Sequence, residues 1–215
     1  MTETRIERGA KRVRAVLGGE VVADTIRPVL VWDVPYYPTY YLPAEDVRSD
    51  RIPRSALRHG KQLDELRGLV KLDWHSMDAW FEEDEEVFTH PRDPYTRVDI
   101  LPSSRHVRVE LDGVVVAESA SPRLLFETGL PTRYYLPKPH VRIDLLTPTA
   151  TESHCPYKGR AEYWSLGDDQ PDVAWSYRTP LPESEKIAGL VAFYNERTDI
   201  FVDDVLQERP VTKFS

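Results

Sequence analysis

The chain has 215 residues, 40% of them hydrophobic and 30% charged, and a formal net charge of −8. That surplus of acid argues against a nucleic-acid partner, which requires a basic face to displace counterions from phosphates. No apolar run approaches the ~20 residues needed to span a bilayer, and the 18 prolines cut the chain into short elements that favour strands over long helices.

The first ten residues, Met1 to Ala10, are charged and lack an apolar h-region, so they read as a flexible tail and not as a secretory signal. Arg5, Arg8, Lys11, Arg12 and Arg14 make the start of the chain a solvated basic segment. A single cysteine excludes an intramolecular disulfide framework and fits a reducing compartment, so a cytoplasmic location is expected.

A strand pattern begins at Arg12. Gly18-Gly19 separates two strand-like runs, and the apolar run Leu30–Trp32, the Tyr40-Tyr-Leu-Pro43 segment and a closing strand to Asp50 follow. Next, Arg51 to Lys71 is a charged segment whose Leu63, Leu66, Leu69 and Val70 have helical periodicity. Beyond Asp78-Ala-Trp-Phe lies the acidic run Glu82–Glu86, whose oxygens would suit a divalent cation. It lacks the spacing of a calcium loop and is expected to be a solvated face.

At His106 the pattern restarts. Residues 12–50 and 106–144 align without a gap, sharing Val13/Val107, Arg14/Arg108, Leu17/Leu111, Gly19/Gly113, Tyr40/Tyr134, Tyr41/Tyr135, Pro43/Pro137 and Arg48/Arg142. The chain is therefore an internal duplication. Asp112-Gly113 between Val107–Leu111 and Val114–Glu118 predicts a tight primed turn. After Asp144 the copies diverge. The second runs through His154-Cys-Pro-Tyr-Lys-Gly159 and the strand-like Ala161–Leu166 and Val173–Tyr177, then Leu181 to Tyr194, where Ile187, Leu190 and Val191 predict a short amphipathic helix. The copies are expected to meet again with Asp78 opposite Asp199.

The expected fold is mainly β: two related small antiparallel-sheet units, sandwich-like, with one or two short helices. The boundaries are a tail at residues 1–10, a first, reduced unit at 11–98 and a second, full unit at 99–215.

Five segments together resemble the domain-of-unknown-function family 427, also labelled nucleotidyltransferase-like. They are Val107-Arg-Val-Glu-Leu-Asp-Gly-Val-Val-Val-Ala-Glu118, Glu127-Thr-Gly-Leu-Pro-Thr-Arg-Tyr-Tyr135, His154–Gly159, Ala174-Trp-Ser-Tyr177 and Ile187-Ala-Gly-Leu-Val-Ala-Phe-Tyr194. Asp78-Ala-Trp-Phe-Glu-Glu-Asp-Glu-Glu86 adds to them in the first half. The resemblance implies a compact β fold of the β-tent kind. Its label implies nucleotide binding or transfer, but the chain has no Gly-Ser followed by Asp-x-Asp and no glycine-rich phosphate loop before a helix. A β-tent also directs attention to zinc, yet the ligand cysteines are missing and His59, His75, His90, His106, His140 and His154 lack ligand-pair spacing, so no metal site is expected.

Candidate chemistry centres on Cys155, either a nucleophile activated by nearby cations or a buried structural thiol. On a strand His154 would face away from it and Tyr157 would share its side. Lys158 and Glu127 are candidate catalytic groups, with Tyr157, His154 and Arg133 as ligand-binding groups and Trp164, Trp175 and Tyr177 as walls. The same aromatics could instead be core. Tyr134 and Tyr135, shared by both copies, read as scaffold. The expected function is a small-molecule-binding domain or enzyme with its site in residues 145–192, and the alternative is a non-catalytic interaction module. No cofactor, ligand or oligomeric state can be named from these residues.

Overall fold

The computed structural model describes residues 4–60 and 64–215; Leu63, one of the periodic leucines, lies outside them. The chain divides into two compact units, Met1–Pro94 and Tyr95–Ser215.

The first unit holds β1 (Arg5–Arg8), β2 (Val13–Leu17), β3 (Glu20–Thr25), β4 (Val29–Val34), β5 (Tyr37–Pro43), β6 (Leu57–His59), β7 (Leu69–Leu72), β8 (Ala79–Glu82) and β9 (Glu85–Glu86). They form a five-stranded sheet, β1-β4-β5-β7-β6, and a four-stranded sheet, β3-β2-β8-β9. Every ladder is antiparallel. Val13, Ala15, Val22, Tyr40, Leu42, Val70 and Trp80 belong to one apolar cluster between the sheets.

The second unit repeats the plan with β10 (Val98–Pro102), β11 (Val107–Leu111), β12 (Val114–Ser119), β13 (Arg123–Glu127), β14 (Arg133–Leu136), β15 (Thr147–Cys155), β16 (Gly159–Leu166), β17 (Gln170–Ser176), β18 (Val191–Phe193), β19 (Asp199–Val202) and β20 (Val205–Leu206). The small sheet runs β12-β11-β19-β20 and the large one β10-β13-β14-β18-β17-β16-β15. Strand for strand, the described residues of the first unit match the second apart from the β15–β16 hairpin. Matching backbone bonds confirm the register: Arg48 N–H donates to the Val22 carbonyl and Arg142 N–H to the Val116 carbonyl, both at 2.8 Å.

The pleat explains the pattern. In β11, Val107, Val109 and Leu111 are buried while Arg108 and Glu110 point outward, where they pair with each other at 2.8 Å. Burying each such aliphatic side chain stabilises the sandwich by about 1.5–3 kcal/mol. At the β11–β12 turn Asp112 and Gly113 have φ of 50° and 78°, the left-handed pair that a primed turn requires.

Four expectations are corrected. The basic start is not all tail: Arg5–Arg8 pairs with Val29–Trp32 as an edge strand, because Ile6 supplies apolar contact and charged flanks are tolerated at an edge. The stretches read as helical form single 3-10 turns, such as Arg54–Ala56 and Asp64–Leu66, and a longer 3-10 segment at Pro182–Ile187. Leu69–Leu72 and Val191–Phe193 are strands whose burial comes from sheet pairing. The acidic run is not uniformly solvated: Glu82 is buried and accepts hydrogen bonds from Tyr40 Oη and Lys11 Nζ, each at 2.5 Å. Finally, the copies rejoin one residue away from the expected alignment. Val16 pairs with Ala79 as Glu110 pairs with Asp199, because the turn Asp73–Asp78 has one residue more than Tyr194–Thr198.

Candidate functional site

The large sheet of the second unit is covered on both faces. Tyr134, Leu136, Trp164, Ala174 and Phe193 face the small sheet. The opposite face carries Leu125, Tyr135, Ala161, Trp175, Tyr177 and Ala192, with Ile187 of the 3-10 segment packed on it. Alternation puts Cys155 on this second face, beside Ser153 and Tyr163, whose hydroxyls lie 2.7 Å apart.

Cys155 ends β15, where it pairs with Gly159. No side chain therefore stands beside it across the ladder, and the residue is half-buried. Gly159 takes φ of +92°, and a Cβ there would come within 3.4 Å of the Leu181 backbone nitrogen. The turn is fastened to that neighbouring segment: Leu181 N–H donates to the Lys158 carbonyl at 3.2 Å and Ser184 Oγ to the Tyr157 carbonyl at 3.0 Å.

From this turn Lys158 Nζ reaches the Glu127 carboxylate, and both side chains are only about 10% exposed. The contact has a geometric consequence. Between β13 and β16 lie four steps of strand pairing, about 19 Å in a flat sheet at ~4.8 Å per step. The lysine and glutamate side chains together span less than that distance, so the sheet curls and brings β13 toward the β15–β16 turn over the second face. Within the curl, Trp175 Nε1 donates to Tyr135 Oη at 3.0 Å, with the rings edge to face at 6.2 Å. Burial pushes the Tyr135 and Tyr177 phenols well above the ordinary tyrosine range, and Glu127 and Cys155 lie close enough to raise both further. These phenols are neutral donors at neutral pH.

Arg133 lies on the same face, nearly fully buried and bidentate to Glu196 at 2.6 and 2.7 Å. Its guanidinium also sits 5.6–5.8 Å from the ring centres of Trp175, Tyr194 and Phe214. With its charge and its fork both engaged, Arg133 serves as a structural anchor in this arrangement.

The structure thus brings together Cys155, Lys158, Glu127, Trp175 and Tyr177, with Arg133 nearby. Trp164 does not join them; it faces the sandwich interior, with Lys138 Nζ 5.5 Å from its ring centre. Trp164 and Trp175 sit on adjacent strands but on opposite faces of the sheet. Trp164 pairs with Ala174, a residue of the inner face. His154 is exposed on the side away from Cys155, and Tyr157 is half-buried in the turn. Tyr135, Tyr163, Tyr194 and Glu196 were not among the expected site residues. A period of two from Trp175 and Cys155 points to the strand residues among them once the pairing is known. Among the described residues, no group of three or more His, Cys, Asp or Glu side chains could hold a metal ion.

A family model described as "Domain of unknown function (DUF427)" matches residues 5–68 and 99–204. The curated proteins contain no match to the chain.

Proposed function

The chain belongs to the DUF427 family, and on that premise we propose that its second unit is a small-molecule-binding domain whose site lies on the curled face of the seven-stranded sheet. The carrying observation is the Lys158–Glu127 pair, drawn from the β15–β16 turn and β13 of that sheet onto the face that holds Cys155 and the Tyr135 and Tyr177 phenols. A charged pair held in so dry a position carries a desolvation cost. It is well suited to a polar ligand group, donating from the ammonium and accepting at the carboxylate. Cys155 is the thiol that meets the bound molecule, and a reducing, cytoplasmic compartment keeps it free.

A second reading, a non-catalytic interaction module, draws support from the aromatic packing itself. Tyr135, Trp175 and Ile187 fill the same face as an ordinary core. A thermal-shift screen of metabolites, including nucleotides with Mg²⁺, on wild type, Cys155→Ala and Lys158→Met separates the readings. The ligand reading expects a compound that raises the wild-type Tm by several degrees and loses most of that effect in both variants. It also expects native Cys155 to be alkylated by iodoacetamide and protected by that compound. If the thiol reacts only after denaturation and no compound distinguishes the variants, the module reading stands.

A further inference from the structure

Besides the missing hairpin, the first unit departs from the second around Thr39 and the turn Asp73–Asp78. The residue in register with Arg133 is Thr39, since Thr39 pairs with Val31 as Arg133 pairs with Leu125. The turn that supplies Glu196 in the second unit is replaced by Asp73–Asp78, which carries Trp74, His75 and Ser76. Both members of the buried Arg133–Glu196 pair are therefore gone. Bordering Thr39 and this turn is a cavity of about 200 Å³ whose lining includes Thr39, Lys71, Asp73, Trp74, His75 and His90.

Its walls are rings and its polar groups are mostly donors. Tyr37 stacks on His90 at 3.9 Å, and Trp74 on Trp80 at 4.8 Å. Lys71 Nζ is 3.1 Å from Asp33 and 3.5 Å from Thr39 Oγ1, which leaves proton-donating capacity on the ammonium. Trp74 Nε1 and the exposed His75 imidazole have no hydrogen-bond partner among the described residues. Asp73, a lining residue, accepts from Ser76 Oγ at 2.6 Å; Asp33 pairs with Lys71, and Glu82 accepts from Tyr40, Lys11 and the Arg92 N–H. At ~30 Å³ per water the cavity equals about seven waters, room for one ring system with a short substituent.

We propose that this cavity is a second ligand site, which takes a small planar aromatic carboxylate. The ring lies along Trp74 and the Tyr37–His90 stack, and the carboxylate meets Lys71 Nζ and the Trp74 N–H.

The test is titration of the full chain with benzoate and indole-3-carboxylate, beside neutral benzamide and cationic benzamidine, by calorimetry and, for benzoate, tryptophan fluorescence. The carboxylates should bind saturably with Kd below about 1 mM, with benzamide at least tenfold weaker. Lys71→Met should weaken the carboxylates at least tenfold, and Thr39→Arg, which restores the second unit's side chain, should abolish their binding while circular dichroism stays unchanged. Tighter binding of benzamidine, no saturable carboxylate signal at about 10 mM, or undiminished binding to Lys71→Met would each overturn the proposal. The Lys71→Met result decides the matter should Thr39→Arg fail to fold.

Discussion

Glu196 shows how much one buried carboxylate can be asked to hold. Its side chain is fully enclosed and accepts two hydrogen bonds from Arg133 and one from Thr212 Oγ1 at 2.6 Å. Burial raises the energy of the charged form, but those hydrogen bonds outweigh it and keep Glu196 below the ordinary glutamate range. Truncation would leave a guanidinium buried without its partner, so Glu196→Ala should cost about 3–5 kcal/mol at pH 7 in urea unfolding. The pH dependence follows from the sign of the shift. A depressed folded pKa gives stability that is fully present above the unfolded value of ~4.3 and is lost as pH falls through the folded value. The gap between wild type and Glu196→Ala should therefore narrow on acidification below about pH 4.3. A gap that stays constant down to pH 3 would show that the charge on Glu196 is not what stabilises the fold.

At the level of strands and turns, local chemistry set what could be read in advance. The hairpins were legible because Asp112-Gly113 and Gly18-Gly19 are turn residues between alternating runs, and all four residues adopt positive φ. The Cβ of an alanine at Gly113 would meet nothing within 4 Å, so Gly113→Ala isolates the backbone penalty. A loss of about 1–2 kcal/mol is expected, read as a lower midpoint in denaturant with unchanged m-value. A loss below about 0.3 kcal/mol would mean that the turn relaxes to another type. Other features depend on partners distant in sequence. Arg5–Arg8 and Val98–Pro102 become strands because β4 and β13 offer them an edge. Ile187, Leu190 and Val191 have helical spacing, yet a 3-10 segment buries Ile187, a strand buries Val191, and Leu190 lies half-buried between them. The alignment of Asp78 with Asp199 failed because one extra turn residue shifts a strand by one position, and such a shift exchanges its two faces. At the site, period two correctly put His154 opposite Cys155, but it could not show that Trp164 and Trp175 face different ways. Nor could it foresee the curl that joins Lys158 to Glu127, which depends on the five strands from β13 to β16 at once.

For the molecule as a whole, the distribution of apolar clusters says how it should come apart. One cluster consists of first-unit residues from Val13 to Trp80. The other two consist of second-unit residues, one between its sheets and one on the far face of the large sheet. Among the described residues, each of these clusters is made of residues of one unit. Cooperativity in unfolding follows shared burial, so each unit should act as its own cooperative block. The fragment Tyr95–Ser215 owns both layers of its core, the Lys158–Glu127 pair and the Arg133–Glu196 pair. It should fold alone, with a sharp thermal transition and the buried-tryptophan fluorescence of Trp164 and Trp175. In the full chain, Glu196→Ala should then lower one calorimetric transition and leave the other in place. A fragment that stays unfolded, or a single transition that moves as a whole, would show that the two halves stabilise one another and that the duplication is one folding unit.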